Sequence, residues 1–220
     1  MELVYTAHVP SGEGPFPTIV ALHGWGASAH DLMGLAPVLH AGRALVLCPQ
    51  GPIGFQVDRG SVGYGWFPLT GGGQSDPAEF AKGAAALRGF LDAALEFYPV
   101  DRRKLVLIGF SQGGVLAYEL ALREPGRFAG LLALSSWLPP EVAAVPKQPE
   151  HASLPVMVVH GTEDPMIPVE RARESRDLLL GLDVPTAYRE YGMGHEIRPE
   201  ALRDIVTWLE DKVLTPIKLA

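Results

Sequence analysis

The sequence predicts an α/β fold, a doubly wound and mostly parallel sheet carried by one domain over residues 1–220 with no large cap domain. Three observations predict it. Short unbroken runs of Val, Ile, Leu and Ala recur along the chain, longer segments with helical spacing separate them, and small or turn-forming residues end most of the runs. Unbroken apolar runs suit strands buried on both faces, as in a parallel sheet. Their alternation with helical segments argues for βαβ units.

The elements follow in order. Residues 18–22 are the first clear strand, ended by His23-Gly24, and residues 44–48 the second, stopped by Pro49. Residues 78–97 read as a helix because Phe80, Ala84, Leu87, Leu91, Ala94 and Leu95 fall on one face. Asp76-Pro77 supplies a cap and first turn, and Pro99 closes it. Residues 105–108 form the next strand, and Val115, Leu116, Ala117, Leu120 and Ala121 mark a helix directly after Gly113-Gly114. Strands at 131–134, 156–159 and 186–191 follow, and Leu202, Ile205, Val206, Leu209 and Val213 mark a last helix. Residues 50–77, with eight glycines and Phe55, Tyr64, Trp66 and Phe67, read as a long irregular segment. Its aromatics either cover the sheet or line a cleft. Residues 137–154 hold four prolines and are too few for a cap domain, so any lid there is a loop.

Composition narrows the function. With 47% hydrophobic and 20% charged residues the chain has globular composition, and its single Cys48 excludes an intramolecular disulfide scaffold. A formal charge of −7 gives no general attraction to phosphate backbones, so nucleic acid is not an expected partner. The first twenty residues lack a basic segment followed by an apolar one, and no apolar run approaches the length of a membrane helix. The expectation is a cytoplasmic protein without integral membrane association, and a homodimer stays open. Metal-ligand spacings such as H-E-x-x-H or paired C-x-x-C are absent, as are phosphate-binding glycine motifs. No metal and no cofactor are expected.

The most informative residues are Gly109-Phe110-Ser111-Gln112-Gly113, a G-x-S-x-G motif between a strand and a helix. Such a turn holds the serine hydroxyl out from the sheet edge, and side chains at the two glycines would strike the neighbouring strand and helix. A nucleophile of this kind needs an acid and then a histidine, each on the loop after a later strand. After the strand at 156–159 come Glu163 and Asp164, of which Asp164 is favoured because Pro165 fixes the adjacent backbone. His195 is the only histidine after Asp164. An oxyanion hole would use the N–H of Gln112 and one from the loop after the first strand, where Trp25 is the choice. His23 and His160 are expected to pack beneath such a site, and His8, His30, His40 and His151 to be peripheral to it.

On these residues the chain resembles the phospholipase/carboxylesterase family of α/β-hydrolases, which includes acyl-protein thioesterases and small bacterial carboxylesterases. The resemblance spans nearly the whole chain. It rests on residues 22–26 (L-H-G-W-G), Trp66-Phe67, residues 109–114 (G-F-S-Q-G-G), residues 134–139 (L-S-S-W-L-P), His160-Gly161, Asp164-Pro165 and Gly194-His195. It implies a Ser111–Asp164–His195 triad, Trp25 and Gln112 as oxyanion donors, and Trp66, Trp137 and Met166 near an acyl pocket. The expected substrate is a small-molecule carboxylic ester with a short to medium acyl chain. Longer acyl thioesters or lysophospholipids are the alternative, and a non-catalytic binding module is a remote one. Two departures stand out. The early loop usually reads H-G-L-G-D, whereas Trp25 and Ala27 stand here, and a tryptophan beside the oxyanion hole would shorten an acyl tunnel. Pro68 follows Trp66-Phe67, where an acid is common.

Overall fold

The computed structural model describes residues 3–58, 60–69 and 75–215. Nine strands and five helices follow in the order β1 (Tyr5–His8), β2 (Phe16–Leu22), β3 (Leu45–Pro49), β4 (Ile53–Asp58), β5 (Ser61–Gly65), α1 (Pro77–Phe97), β6 (Val100–Phe110), α2 (Gln112–Arg123), β7 (Gly130–Leu134), α3 (Pro140–Ala143), β8 (Val156–Gly161), α4 (Val169–Gly181), β9 (Thr186–Tyr191) and α5 (Pro199–Trp208). Seven strands form one sheet in the order β1-β3-β2-β6-β7-β8-β9, parallel throughout except for β1 at one edge. The doubly wound α/β expectation holds, with no large cap among the described residues.

Alternate residues of the central strands feed two cores. Val20, Leu22, Leu105, Leu107, Leu131 and Val158 face α1, α2 and α4, whereas Ile19, Ala21, Val106, Ile108, Leu132 and Val159 face α5 and the segment around Leu32 and Leu39. Both faces are dry, so the strands read as unbroken apolar runs. Each such Leu, Ile or Val adds roughly 1.5–3 kcal/mol through burial. Asp76 caps α1 as expected, accepting from the N–H groups of Ala78 and Glu79 at 2.9 and 3.1 Å.

The structure departs from the sequence reading at four places. β1 pairs antiparallel with β3 and was not anticipated; its alternating half-buried residues carry little apolar signal. α4 was also missed, because only Ala172, Ser175 and Leu179 are buried on a helix otherwise full of Arg and Glu. The last helix ends at Trp208 and continues to Leu214 as a widened π-type turn. The segment 50–77, expected to be irregular, folds into a β4–β5 hairpin before its end, and its residues 70–74 lie outside the described ones.

Candidate active site

β6 ends at Phe110 and α2 begins at Gln112, leaving Ser111 on a one-residue turn at φ 53°, ψ −120°. For a residue with a Cβ this is a strained conformation, held here by its surroundings. The Ser111 N–H donates to Leu134 O at 2.9 Å, and Ser111 O accepts from the Gly114 N–H and the Ser136 hydroxyl at 2.9 and 2.7 Å. The flanking glycines are sterically required. A Cβ on Gly109 would stand 2.4 Å from Gly114 Cα, and one on Gly113 would stand 2.2 Å from Leu22 O.

Asp164 follows β8 and His195 follows β9, so the sheet order brings both to the same edge as Ser111. Asp164 Oδ2 accepts from His195 Nδ1 at 2.7 Å, while its Oδ1 accepts from the N–H groups of Met166 and Ile167, each at 2.9 Å. Burial pushes the Asp164 carboxyl upward. The His195 hydrogen bond and the two N–H donors outweigh it and leave the group below its ordinary value. Glu163, the rival acid, is exposed. The ring of Phe110 packs on His195 with centroids 4.8 Å apart.

Ser111, His195, Trp25, Gln112, Trp137 and Met166 line one cleft of about 710 Å³. Trp137 is half-buried and Met166 is 69% exposed at the rim. Among the described residues neither the Trp25 nor the Gln112 main-chain N–H has an acceptor within the chain, and Gln112 is the first residue of α2, where the helix dipole is positive. The loop bearing Trp25 leans on the hairpin. Gly26 N–H donates to Tyr64 O at 2.9 Å and Tyr64 N–H to Ala27 O at 2.8 Å. The Trp25 indole stacks on Phe55 at 4.2 Å and packs flat against Gly65, where a Cβ would fall 2.2 Å from the ring.

The structure does not bring Trp66 into this cleft. Its side chain is 1% exposed, its indole N–H donates to His23 O at 2.9 Å, and it packs in the core under the loop that carries Trp25. Large aromatic area was better removed from water than left on a cleft wall. His23 is buried beside it, with Nδ1 donating to Gly24 O and Nε2 accepting from Gly51 N–H, and burial lowers its pKa, which suits a neutral ring. His160 is fully buried, its Nε2 2.8 Å from Ile167 O and 3.5 Å from Asp164 Oδ2. His40 and His151 line no part of the cleft, yet both are buried, His40 on Glu210 and His151 on Leu122 O. The side chain of Gln112 escaped the sequence reading, which used only its main chain. Its Oε1 accepts from the Trp66 N–H and its Nε2 donates to Phe67 O. Among the described residues no group of His, Cys, Asp and Glu is placed to hold a metal ion, and no helix is long and apolar enough to cross a membrane.

Known proteins are similar to this chain in sequence or in fold. An acyl-protein thioesterase 1 from Gibberella zeae is 32% identical over 203 residues, covering 87% of this chain and 85% of that protein. One from Mycosarcoma maydis is 29% identical over 222 residues, covering 91% and 92%. Among solved structures, esterase PE8 superposes with a TM-score of 0.83 at 23% identity over 97% of this chain and all of that one. The Bacillus cereus carboxylesterase does so with 0.81 at 22% over 96% and 94%. These two likenesses bear on the fold. The profile of the phospholipase/carboxylesterase family matches residues 6–213, and the chain therefore belongs to that family of α/β-hydrolases.

Proposed function

We propose that the protein is a serine carboxylesterase that hydrolyses short- to medium-chain carboxylic esters through an acyl-enzyme on Ser111. The observation that carries this reading is the 2.7 Å bond from His195 to a buried Asp164, on the wall of the cleft into which the strained Ser111 turn opens. With its Nδ1–H given to Asp164, His195 has a lone pair on Nε2 and can take the Ser111 proton as the hydroxyl attacks the ester carbonyl. The carbonyl oxygen becomes an oxyanion, and the N–H groups of Trp25 and Gln112 are the donors available to it. Such a donor contributes on the order of 3 kcal/mol to the transition state. His195 then gives its proton to the leaving alkoxide, and water repeats the sequence on the acyl-enzyme to release the acid and free Ser111. The largely apolar cleft suits an acyl chain of modest length.

Thioester cleavage is the second reading, favoured by the two fungal relatives, which are named acyl-protein thioesterases. Initial rates on p-nitrophenyl esters from acetyl to palmitoyl, with matched acyl thioesters beside them and Ser111→Ala as the blank, test both. Ester rates peaking at short or medium chains support the carboxylesterase, and faster turnover of long thioesters supports the alternative. Activity persisting in Ser111→Ala removes Ser111 as nucleophile.

A further inference from the structure

The esterase reading gives the oxyanion two main-chain donors, and the fold fixes them by different means. The Gln112 N–H opens α2, whose hydrogen-bonded turns set its direction. The Trp25 N–H belongs to the turn after β2, outside any strand or helix. Gly24 lies hard against the nucleophile: a Cβ there would stand 3.2 Å from Ser111 Cβ and 3.2 Å from the Phe110 ring. The direction of the Gly24–Trp25 peptide therefore decides whether the Ser111 side meets an N–H or a C=O.

Behind that peptide lies His23, 2% exposed. Its Nε2 is 2.9 Å from the Gly51 nitrogen, whose N–H can only donate, so Nε2 carries the lone pair and Nδ1 the proton. Nδ1–H then donates to Gly24 O at 2.7 Å. Ala27 N–H also reaches Gly24 O, at 3.3 Å, the longer and weaker contact of the two. Burial lowers the pKa of the ring from its ordinary 6.5, so this tautomer persists at neutral pH. In a trans peptide the C=O and the next N–H point in opposite directions. A carbonyl drawn onto His23 thus turns the Trp25 N–H towards the cleft, which Gly24, Trp25 and Ser111 line and His23 does not. We propose that His23 is a positioning residue for acyl transfer: Gly51 fixes its tautomer, its Nδ1–H holds Gly24 O, and the Gly24–Trp25 peptide is thereby locked with its N–H facing the oxyanion. The proposal rests on the esterase reading and adds to it a residue whose ring is outside the cleft. Without the imidazole, only the Ala27 contact holds the peptide, and a flip would set Gly24 O where negative charge develops.

Three variants separate positioning from support. Asparagine places Nδ2 where Nδ1 stands and can still donate to Gly24 O, but offers Gly51 nothing. Glutamine places Oε1 near Nε2 and can still accept from Gly51, but offers Gly24 O nothing. Leucine does neither. On p-nitrophenyl butyrate, His23→Leu is expected to lose about ten- to a hundredfold in kcat, less than the loss of a whole oxyanion donor. KM should hardly move, because the interaction is made in the transition state. His23→Asn should recover most of kcat and His23→Gln little, whereas His23→Gln should be the more stable of the two in urea. A histidine that merely supports the fold would make kcat follow stability. A His23→Leu kcat within about twofold of wild type, or a His23→Gln as active as His23→Asn, overturns the proposal. Should the variants fail to fold, nitrogen-15 NMR of the wild-type ring decides. A proton on Nδ1 is expected, and one on Nε2 instead removes the donor to Gly24 O and overturns the proposal. Failure of the esterase reading looks different: wild type would then cleave the ester no faster than Ser111→Ala, and the proposal would fall with it.

Discussion

The side-chain amide of Gln112 carries the backbone of Trp66, accepting its N–H at 2.9 Å, and donates to the next carbonyl, Phe67 O, at 2.7 Å. The residue whose main-chain N–H stands beside Ser111 thereby also pins the strand of chain that leaves the hairpin. Gln112→Ala leaves a buried N–H and a buried carbonyl unpaired, at about 1–3 kcal/mol each. Urea unfolding is expected to report a loss of about 2–6 kcal/mol, twice that single-group cost. A wild-type midpoint would mean that the two backbone groups find other partners.

Asp164→Asn separates positioning from folding. The amide oxygen can still accept from the Met166 and Ile167 N–H groups, but the NH2 that replaces Oδ2 cannot accept from His195 Nδ1. Ester turnover should fall by about four orders of magnitude, as expected when the imidazole is left in the wrong tautomer. The melting temperature should change by only a few degrees. Glu163→Gln, at the exposed neighbour, is expected to stay within about twofold of wild type, and a large loss there would move the acid role to Glu163.

Gly65→Ala acts at a distance from the serine. The new Cβ would fall 2.2 Å from the Trp25 ring, so the indole must leave its stack on Phe55 and drag its loop with it. The expected result is a fall in kcat of roughly ten- to a hundredfold, below the loss of a whole oxyanion donor. Tryptophan fluorescence should shift in parallel. Unchanged kcat with a shifted spectrum would separate the ring from the main-chain N–H of Trp25.

An acid-sensitive ion pair ties α4 to β9. The Arg173 guanidinium grips both oxygens of Glu190 at 2.7 and 2.9 Å and the Tyr188 hydroxyl donates to one of them, which together hold the Glu190 carboxyl down at about 2 against an ordinary 4.5. Because the folded value is the lower one, the stabilisation is fully present above pH about 4.5 and is lost as the pH falls toward about 2. Urea midpoints measured down that range should drop more steeply for wild type than for Glu190→Gln. Parallel curves would show that the pair is screened by solvent and contributes little.

Legibility in the sequence followed how narrowly the physics constrains each residue. The turn at Ser111 demands glycine at 109 and 113 because backbone from α2 and β2 lies within 2.4 Å of where a Cβ would be, so the motif was readable from five letters. The strands of the sheet centre were readable because both faces are dry. β1 and α4 were not, since an edge strand and a half-solvated helix need few apolar residues. Trp66 was placed near the acyl pocket and lies under the Trp25 loop instead, because an aromatic side chain packs equally well in a core or on a cleft wall.

The β4–β5 hairpin stands apart from the main sheet, held to the Trp25 loop by the bridge between Ala27 and Tyr64 and by the Trp25 ring on Phe55 and Gly65, and it leaves Val57 and Val62 exposed. An element with so few anchors opens at a lower free energy than the strands it serves. The geometry around Ser111 is therefore only as durable as a two-stranded ribbon. On warming, catalysis should fade while circular dichroism still reports an intact sheet, and the gap between those two temperatures measures how loosely the ribbon is held.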